Sequence, residues 1–250
     1  MGQTKGTTTE IDELRERLAH VERSAAEKER QLERYAADLR ETFKRERDRR
    51  HELRRSYMAT VRALCNAVEA RDAYTGKHAE RVAAYGMELA RCCGLAVEDS
   101  PQIEFGFLLH DVGKVAVPDA ILFKPEPLDG PERQVMERHA EIGWEILRDI
   151  DFLGEAKLVV RHHHERWDGG GYPDGLAGED IPLAARVFAV ADVLDALTTV
   201  RPYRPPSPTE EARQMIRDSS GSHVDPEVVD AFLEIPADRL EEIRVEVGDA

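Results

Sequence analysis

Residues 105–114 read Phe105-Gly106-Phe107-Leu108-Leu109-His110-Asp111-Val112-Gly113-Lys114, an apolar run that ends in a histidine–aspartate pair. We interpret the run as a buried helix with His110 and Asp111 at its end. Burying a carboxylate is costly unless it is paired or bound to a metal. Imidazole and carboxylate groups suit a first-row divalent metal, so the pair is a candidate for metal binding.

Outward from this stretch, the sequence keeps a helical pattern. Gly and Pro separate the apolar segments, and no run of alternating strands occurs. The sequence therefore predicts an all-α domain. Helices are expected near 57–72, 76–93, 98–111, 131–149, 154–167, 181–199, 208–219 and 226–233.

Two of the predicted helices contain further polar residues in apolar surroundings. Asp192 and Asp195 lie about one turn apart in a strongly apolar helix, so at least one needs a cationic partner. Three consecutive histidines, residues 162–164, end another helix. Adjacent helical residues point about 100° apart, so not all three can face one metal, but two of them could serve two neighbouring metals.

His78 and His139 each stand alone on a helix, and a lone histidine is more often a hydrogen-bonded core residue than a ligand. The joint pattern is stronger evidence, because five helices each place an acid or imidazole at an apolar position or a helix end. Two metals bridged by a carboxylate would satisfy all of these groups.

Taken together, the motifs resemble the HD-GYP family of HD phosphohydrolases over about residues 57–233. The stretch from His110 to Lys114 is similar to the family's HDxGK element. The stretch from His163 to Pro173 is similar to HHExxDGxGYP, which separates this family from other HD proteins. The resemblance implies an HD-type helical bundle.

The resemblance also implies roles for individual residues. Asp111 would bridge two metals, Lys114 would contact the phosphate or the metal-bound water, and Tyr172 would line the substrate loop. Arg201 and Arg204 would hold substrate phosphates. The terminal metal ligands would be His78, His110, His139, His163, His164 and Asp192.

Family members hydrolyse cyclic di-GMP to pGpG or GMP, and some act on related cyclic dinucleotides. The implied cofactors are two divalent metal ions, with iron or manganese the usual metal, and the implied attack is by a hydroxide that the two metals activate. Three-metal members carry a Glu four residues before the first histidine. Here that residue is Tyr74, and Asp72 is out of step, so we expect two metals.

Two rival functions remain open. A non-catalytic module that senses the nucleotide or docks a partner protein would need no turnover, although the complete ligand set argues against it. An HD hydrolase of other nucleotides is the second rival, and it leaves the Gly-Tyr-Pro segment unexplained.

Composition limits the partners and the cellular location that we expect for the protein. The net charge of -15 argues against binding of a nucleic-acid polymer, which needs a broad basic face. Three cysteines without a CxxC motif suggest reduced thiols and a cytoplasmic location. No apolar run reaches the ~18–20 residues that a membrane span needs, and no secretory signal peptide is present.

The N-terminal part has a different composition. Residues 1–9 are polar and are expected to be disordered, and residues 10–56 precede the HD-GYP domain of residues 57–250. Apolar residues at steps of three and four form a heptad seam over about four heptads. The seam predicts a coiled coil that makes a homodimer and relays a signal, with a regulatory protein as the expected partner. A solvated single helix is the alternative. Its positions are Ile11, Leu14, Leu18, Val21, Ala25, Lys28, Leu32, Tyr35 and Leu39.

Overall fold

The computed structural model of the chain describes residues 4–71, 77–97, 100–200 and 205–248, with the backbone alone for residues 4–12. These residues form α-helices joined by loops and short 3₁₀ turns, and they contain no β-strand, so the predicted all-α fold is confirmed. The helices are α1 (Thr4–Glu69), α2 (His78–Cys92), α3 (Pro101–Leu109), α4 (Asp119–Leu122), α5 (Gly130–Glu137), α6 (His139–Leu147), α7 (Ala156–His162), α8 (Leu183–Thr198), α9 (Thr209–Asp218), α10 (Pro226–Glu234) and α11 (Ala237–Val247).

The chain divides into two units between Ser56 and Tyr57. The first unit is helical from Thr4 onward, so residues 4–9 are helix where the sequence predicted disorder. Extending an existing helix adds one hydrogen bond per residue fixed, which favours propagation into this polar segment. Apolar side chains of the seam, among them Leu14 and Leu32, are exposed in the single chain.

The second unit is built around two central helices. Helix α8 packs against α2, and α3 packs against α7. Helices that are apolar on all sides are expected inside a domain, and both α3 and α8 meet this description. Phe105, Phe107 and Phe188 are fully buried there and form part of one continuous core.

A close backbone contact joins the turn after α3 to the start of α6. The 3₁₀ turn Val112–Ala116 lies against α6. A methyl group at Gly113 would overlap the carbonyl of His139 and the backbone nitrogen of Gly143. Only glycine allows this approach, which brings Asp111 close to His139.

The helix expected over 131–149 is in fact two helices, α5 and α6, that meet at Arg138. The Met136 carbonyl accepts hydrogen bonds from the Arg138 backbone and from Nδ1 of His139 at 2.7 Å. A side chain that takes a carbonyl out of the helical ladder interrupts the helix at that point. The break puts His139 at the first position of α6.

Two helices of the structure were not predicted from the sequence. One is the short α4, and the other is α11, whose Leu240 and Ile243 are buried one turn apart. The segment predicted at 57–72 is the last part of α1, which ends at Glu69. No helix in the described part of the chain is both long enough and apolar enough to cross a bilayer.

Candidate metal centre

The predicted metal ligands meet because most of them sit at helix ends. His78 and His139 begin α2 and α6, while His110 and Asp111 directly follow α3. The pair of residues 163–164 directly follows α7, and Asp192 lies within α8. The centre therefore draws its candidate ligands from five helices or the residues that directly follow them.

Six of the seven residues fall into two groups of potential metal ligands. His139, His163 and His164 form the imidazole group, and their ligand atoms lie within 4.8 Å of one another. A second set, the carboxylate group, satisfies the same distance and contains His78, His110 and Asp111.

Asp111 and Asp192 connect these side chains. One oxygen of Asp111 lies 3.1 Å from Nε2 of His110, and the other lies 3.4 Å from Nε2 of His139, so this carboxylate faces both groups. Asp192 lies 3.5 Å from Nε2 of His78 and so faces the carboxylate group.

Backbone carbonyls fix the tautomers of three of the histidines. Nδ1 of His110 donates to the carbonyl of Phe107 at 2.9 Å, and Nδ1 of His163 donates to that of Val160 at 2.8 Å. His139 makes the equivalent bond to Met136. A carbonyl only accepts hydrogen bonds, so each Nδ1 carries a hydrogen and each ring turns Nε2 toward the centre, where the neutral form offers its lone pair.

The clearest indication of a metal is the contact between His139 and His163, whose Nε2 atoms face each other at 3.2 Å. Burial lowers the pKa of His139 and holds the pKa of His163 well below its usual range. Burial also lowers the pKa of His164 to about 3, so near neutral pH no proton is available to separate the lone pairs. A divalent cation would satisfy all three nitrogens, so the donor set fits a transition metal.

The carboxylate group has a different electrostatic character. Burial opposes the charge of Asp111, but the ammonium of Lys114 at 2.8 Å and the His110 ring hold the pKa of Asp111 well below its usual range. Burial also opposes charging of His110, yet the charge of Asp111 raises the pKa of that ring. Asp111 is therefore ionised and available to a metal.

A further carboxylate, that of Asp195, fixes the orientation of one histidine of this group. Asp195 is buried and accepts hydrogen bonds from Nδ1 of His78 at 2.7 Å and from Nε of Arg81 at 2.6 Å. Hydrogen bonds of this kind fix the orientation of a metal-binding histidine. The sequence indicated that Asp192 or Asp195 needed a cation, but it did not single out Arg81, which lies three residues after His78 on α2.

Of the other residues predicted for the site, the structure describes some and leaves others outside the described residues. The ring of Tyr172 packs against His164 with centroids 4.7 Å apart and the planes tilted by 33°, which places it at the centre. His162 points elsewhere, toward Glu165 and Asp174. Arg201 and Arg204 lie outside the described residues, as do residues 72 and 74, on which the expected number of metals rests.

This helical fold with a histidine–aspartate centre has a match among known families. The profile of the family described as "HD domain" covers residues 62–228, two thirds of the sequence. The chain therefore belongs to the HD domain family, and the recognised likeness to the HD-GYP branch is confirmed.

Individual relatives are cyclic-dinucleotide phosphodiesterases by name. The chain is 44% identical to the 3'3'-cGAMP-specific phosphodiesterase 2 of Vibrio cholerae, over 73% of this chain and 35% of that protein. It is 39% identical to the cyclic di-GMP phosphodiesterase response regulator RpfG of Xanthomonas campestris, over 88% of this chain and 58% of that protein. The chain thus spans about a third to three fifths of the length of these two relatives.

Solved structures agree on the fold. A cyclic GMP-AMP specific phosphodiesterase of V. cholerae superposes with a TM-score of 0.53 at 19% identity, over 75% of this chain and 54% of that one. The protein Bd1817 of Bdellovibrio bacteriovorus gives a TM-score of 0.51 at 22% identity, over 66% of this chain and 51% of that one.

Proposed function

We propose that this protein is a metal-dependent phosphodiesterase that hydrolyses a cyclic dinucleotide, with cyclic di-GMP cleaved to pGpG or onward to GMP. The observation that carries the proposal is the convergence of unprotonated Nε2 atoms beside the ionised Asp111. The named activities of the relatives favour the same substrate class.

The proposed cofactors are two divalent ions, iron or manganese. The imidazole group and the carboxylate group would each hold one, with Asp111 shared between them and Asp192 on the side of His78. When bound, such ions make water a stronger nucleophile and stabilise negative charge on phosphate oxygens.

The protein's own residues would orient the substrate. Lys114 stands beside Asp111, where its ammonium would stabilise charge that develops on the phosphate. Tyr172 covers the side of His164 and would contact a base or ribose of the substrate. Arg201 and Arg204 are proposed from the sequence as phosphate ligands, because a guanidinium grips phosphate with two hydrogen bonds.

The test is reconstitution of metal-free protein with Mn²⁺, or with Fe²⁺ under anaerobic conditions, followed by chromatography of the nucleotide products. Cyclic di-GMP and 3'3'-cGAMP are offered separately, together with a panel of mononucleotides. Cleavage of a cyclic dinucleotide that depends on added metal supports the proposal. Tight binding without cleavage would favour the sensing module, and cleavage of mononucleotides alone would favour another HD hydrolase.

We also propose that the seam of α1 makes a homodimer. Leu18 and Leu32 are seam positions and more than half exposed in the single chain, so a second copy could bury them. The double variant Leu18→Glu/Leu32→Glu should sediment as a monomer, whereas Ala26→Glu/Ala37→Glu, off the seam, should keep the wild-type mass. A monomeric wild-type protein at micromolar concentration would contradict this proposal.

A further inference from the structure

The loop of residues 165–176, which carries Tyr172, is closed by one buried carboxylate. Glu165 is 3% exposed, and both of its oxygens accept backbone N–H groups of the same loop. The donors are the N–H groups of Asp174 at 2.8 Å and of Leu176 at 3.1 Å. One side chain at the beginning of the loop thus holds its far end.

Helix α7 adds a second connection to the same point. Arg161 donates two hydrogen bonds to the carboxylate of Asp174, at 2.7 and 2.8 Å, and its guanidinium lies 5.2 Å from the ring centroid of Trp144. His162 turns Nδ1 toward Glu165 and Asp174 at 3.7 and 3.6 Å. The end of α7 therefore directs one set of side chains to the loop and the next two histidines to the metal centre.

The held segment includes the residues that face the centre. The Tyr172 N–H donates to the carbonyl of His164 at 3.3 Å. Gly171 packs so closely that a methyl group there would overlap the backbone of residues 164–166. Tyr172 is thus fixed between the close contact at Gly171 and the connection at Asp174, with its ring on His164.

We infer that Glu165 is a positioning residue that holds this loop so that Tyr172 covers the substrate beside His164. The inference rests on the proposed function. A third metal bound by His162, Glu165 and Asp174 is the competing explanation, because their ligand atoms also lie within 4.8 Å of one another. It is disfavoured because both oxygens of each carboxylate already accept hydrogen bonds.

The decisive variant is Glu165→Gln, which keeps the size of the side chain but turns an amide N–H₂ toward one of the two backbone donors. Two donors that face each other in a buried site cannot both be satisfied. We expect KM for the cyclic dinucleotide to rise about tenfold, with a smaller change in kcat, because ground-state contacts are lost. Hydrolysis of bis(p-nitrophenyl) phosphate, too small to need the loop, should be unchanged, as should the metal content.

Two further variants complete the experiment. Glu145→Gln is the matched control, because Glu145 is exposed on α6 and the same change there should leave both activities unaltered. Asp174→Asn weakens the bond to Arg161 at an exposed position and should raise KM by a smaller factor. It decides the question if Glu165→Gln fails to fold, as judged by circular dichroism.

The outcomes separate the inference from the proposed function. If wild-type protein hydrolyses the cyclic dinucleotide and Glu165→Gln and Asp174→Asn keep its KM, the inference is overturned while the function stands. Loss of one metal from Glu165→Gln, with both substrates affected equally, would overturn it in favour of a third metal site. Wild-type protein that cleaves bis(p-nitrophenyl) phosphate but no cyclic dinucleotide would overturn both.

Discussion

The imidazole group and the carboxylate group lie side by side but differ in charge. The imidazole group contains three histidines and no acid of its own, and burial lowers the pKa of each of the three rings. In the carboxylate group, burial also opposes charge, yet Asp111 raises the pKa of His110. Asp192 and Asp195 add further negative charge on that side.

The difference shows that residue type alone does not set the chemistry of a histidine here. His110 and His163 have rings with centroids only 5.3 Å apart and the same hydrogen bond from Nδ1 to a carbonyl, but their pKa values shift in opposite directions. The carboxylate that touches His110 is the cause. Asp111 faces both groups, so it is the residue whose loss should abolish the distinction between them.

The largest effect is therefore expected for Asp111→Asn. The amide keeps the shape but loses the charge shared by both groups, so both metals should bind weakly. Turnover of the cyclic dinucleotide should fall by ~10³-fold or more, since several kcal/mol of charge stabilisation are removed. Elemental analysis should find fewer than two metals, whereas Asp149→Asn, at an exposed position, should behave as wild type. Unchanged metal content would refute the central position given to Asp111.

Single histidine changes should affect the two groups separately. His163→Gln and His78→Gln each remove one ligand from one group, so each variant should retain about one of the two proposed metals and lose ~10²-fold in turnover. His162→Gln is the adjacent control and should retain both metals, because its ring faces the loop. If either single variant lost both metals, the two groups would have to be treated as one cooperative site.

A smaller effect is expected for Asp195→Asn, which weakens the hydrogen bond to Nδ1 of His78. Removing such an outer partner typically costs ~10–100-fold in metal affinity. Titration of metal-free protein should show the loss for one of the two metals, while the second binds as in the wild type. Equal weakening of both would show that Asp195 stabilises the whole domain rather than one group.

The smallest effect concerns the acid stability of the metal-free protein. The pKa of His164 is about 3 in the folded chain and ordinary, ~6.5, in the unfolded chain. Below pH ~6.5 the unfolded state binds more protons than the folded one, so stability falls as the pH falls through this range toward 3. The melting temperature should therefore decrease from pH 7 to pH 5, and less steeply for His164→Gln. His51→Gln, an exposed histidine, should keep the wild-type slope; equal slopes for all three proteins would contradict the pKa assignment.

Much of the centre could be predicted because its residues violate the apolar pattern of their helices. His110 and Asp111 end a run that is otherwise apolar, and Asp192 interrupts another, so sequence alone marks them as needing a partner. The metal-facing pair among the three consecutive histidines was left open by helical periodicity and was indicated only by the family resemblance. In the structure, residues 163 and 164 face the centre and His162 faces the loop.

Other features depend on contacts between distant segments. Arg81 lies on a helix with many charged neighbours, and only the packing of α2 against α8 brings it to Asp195. No Gly or Pro marks the interruption between α5 and α6 at Arg138, because it arises from the hydrogen bond of the His139 side chain to the Met136 carbonyl. Glu165 belongs to a recognisable motif, but its two hydrogen bonds are formed with backbone groups, which leave no trace in residue identity.

Two tryptophans that each lie beneath a guanidinium provide natural optical probes of the loop. The protein has two tryptophans: Trp144, beneath the guanidinium that holds Asp174, and Trp167, within the loop and beneath Arg186. Indole fluorescence responds to a nearby cation, so a movement of the loop should change the emission of both residues. A change of emission on titration with the cyclic dinucleotide would therefore reveal a movement of the loop without a label, an unchanged emission would show that the loop stays in place, and Trp144→Phe would assign the contribution of each indole.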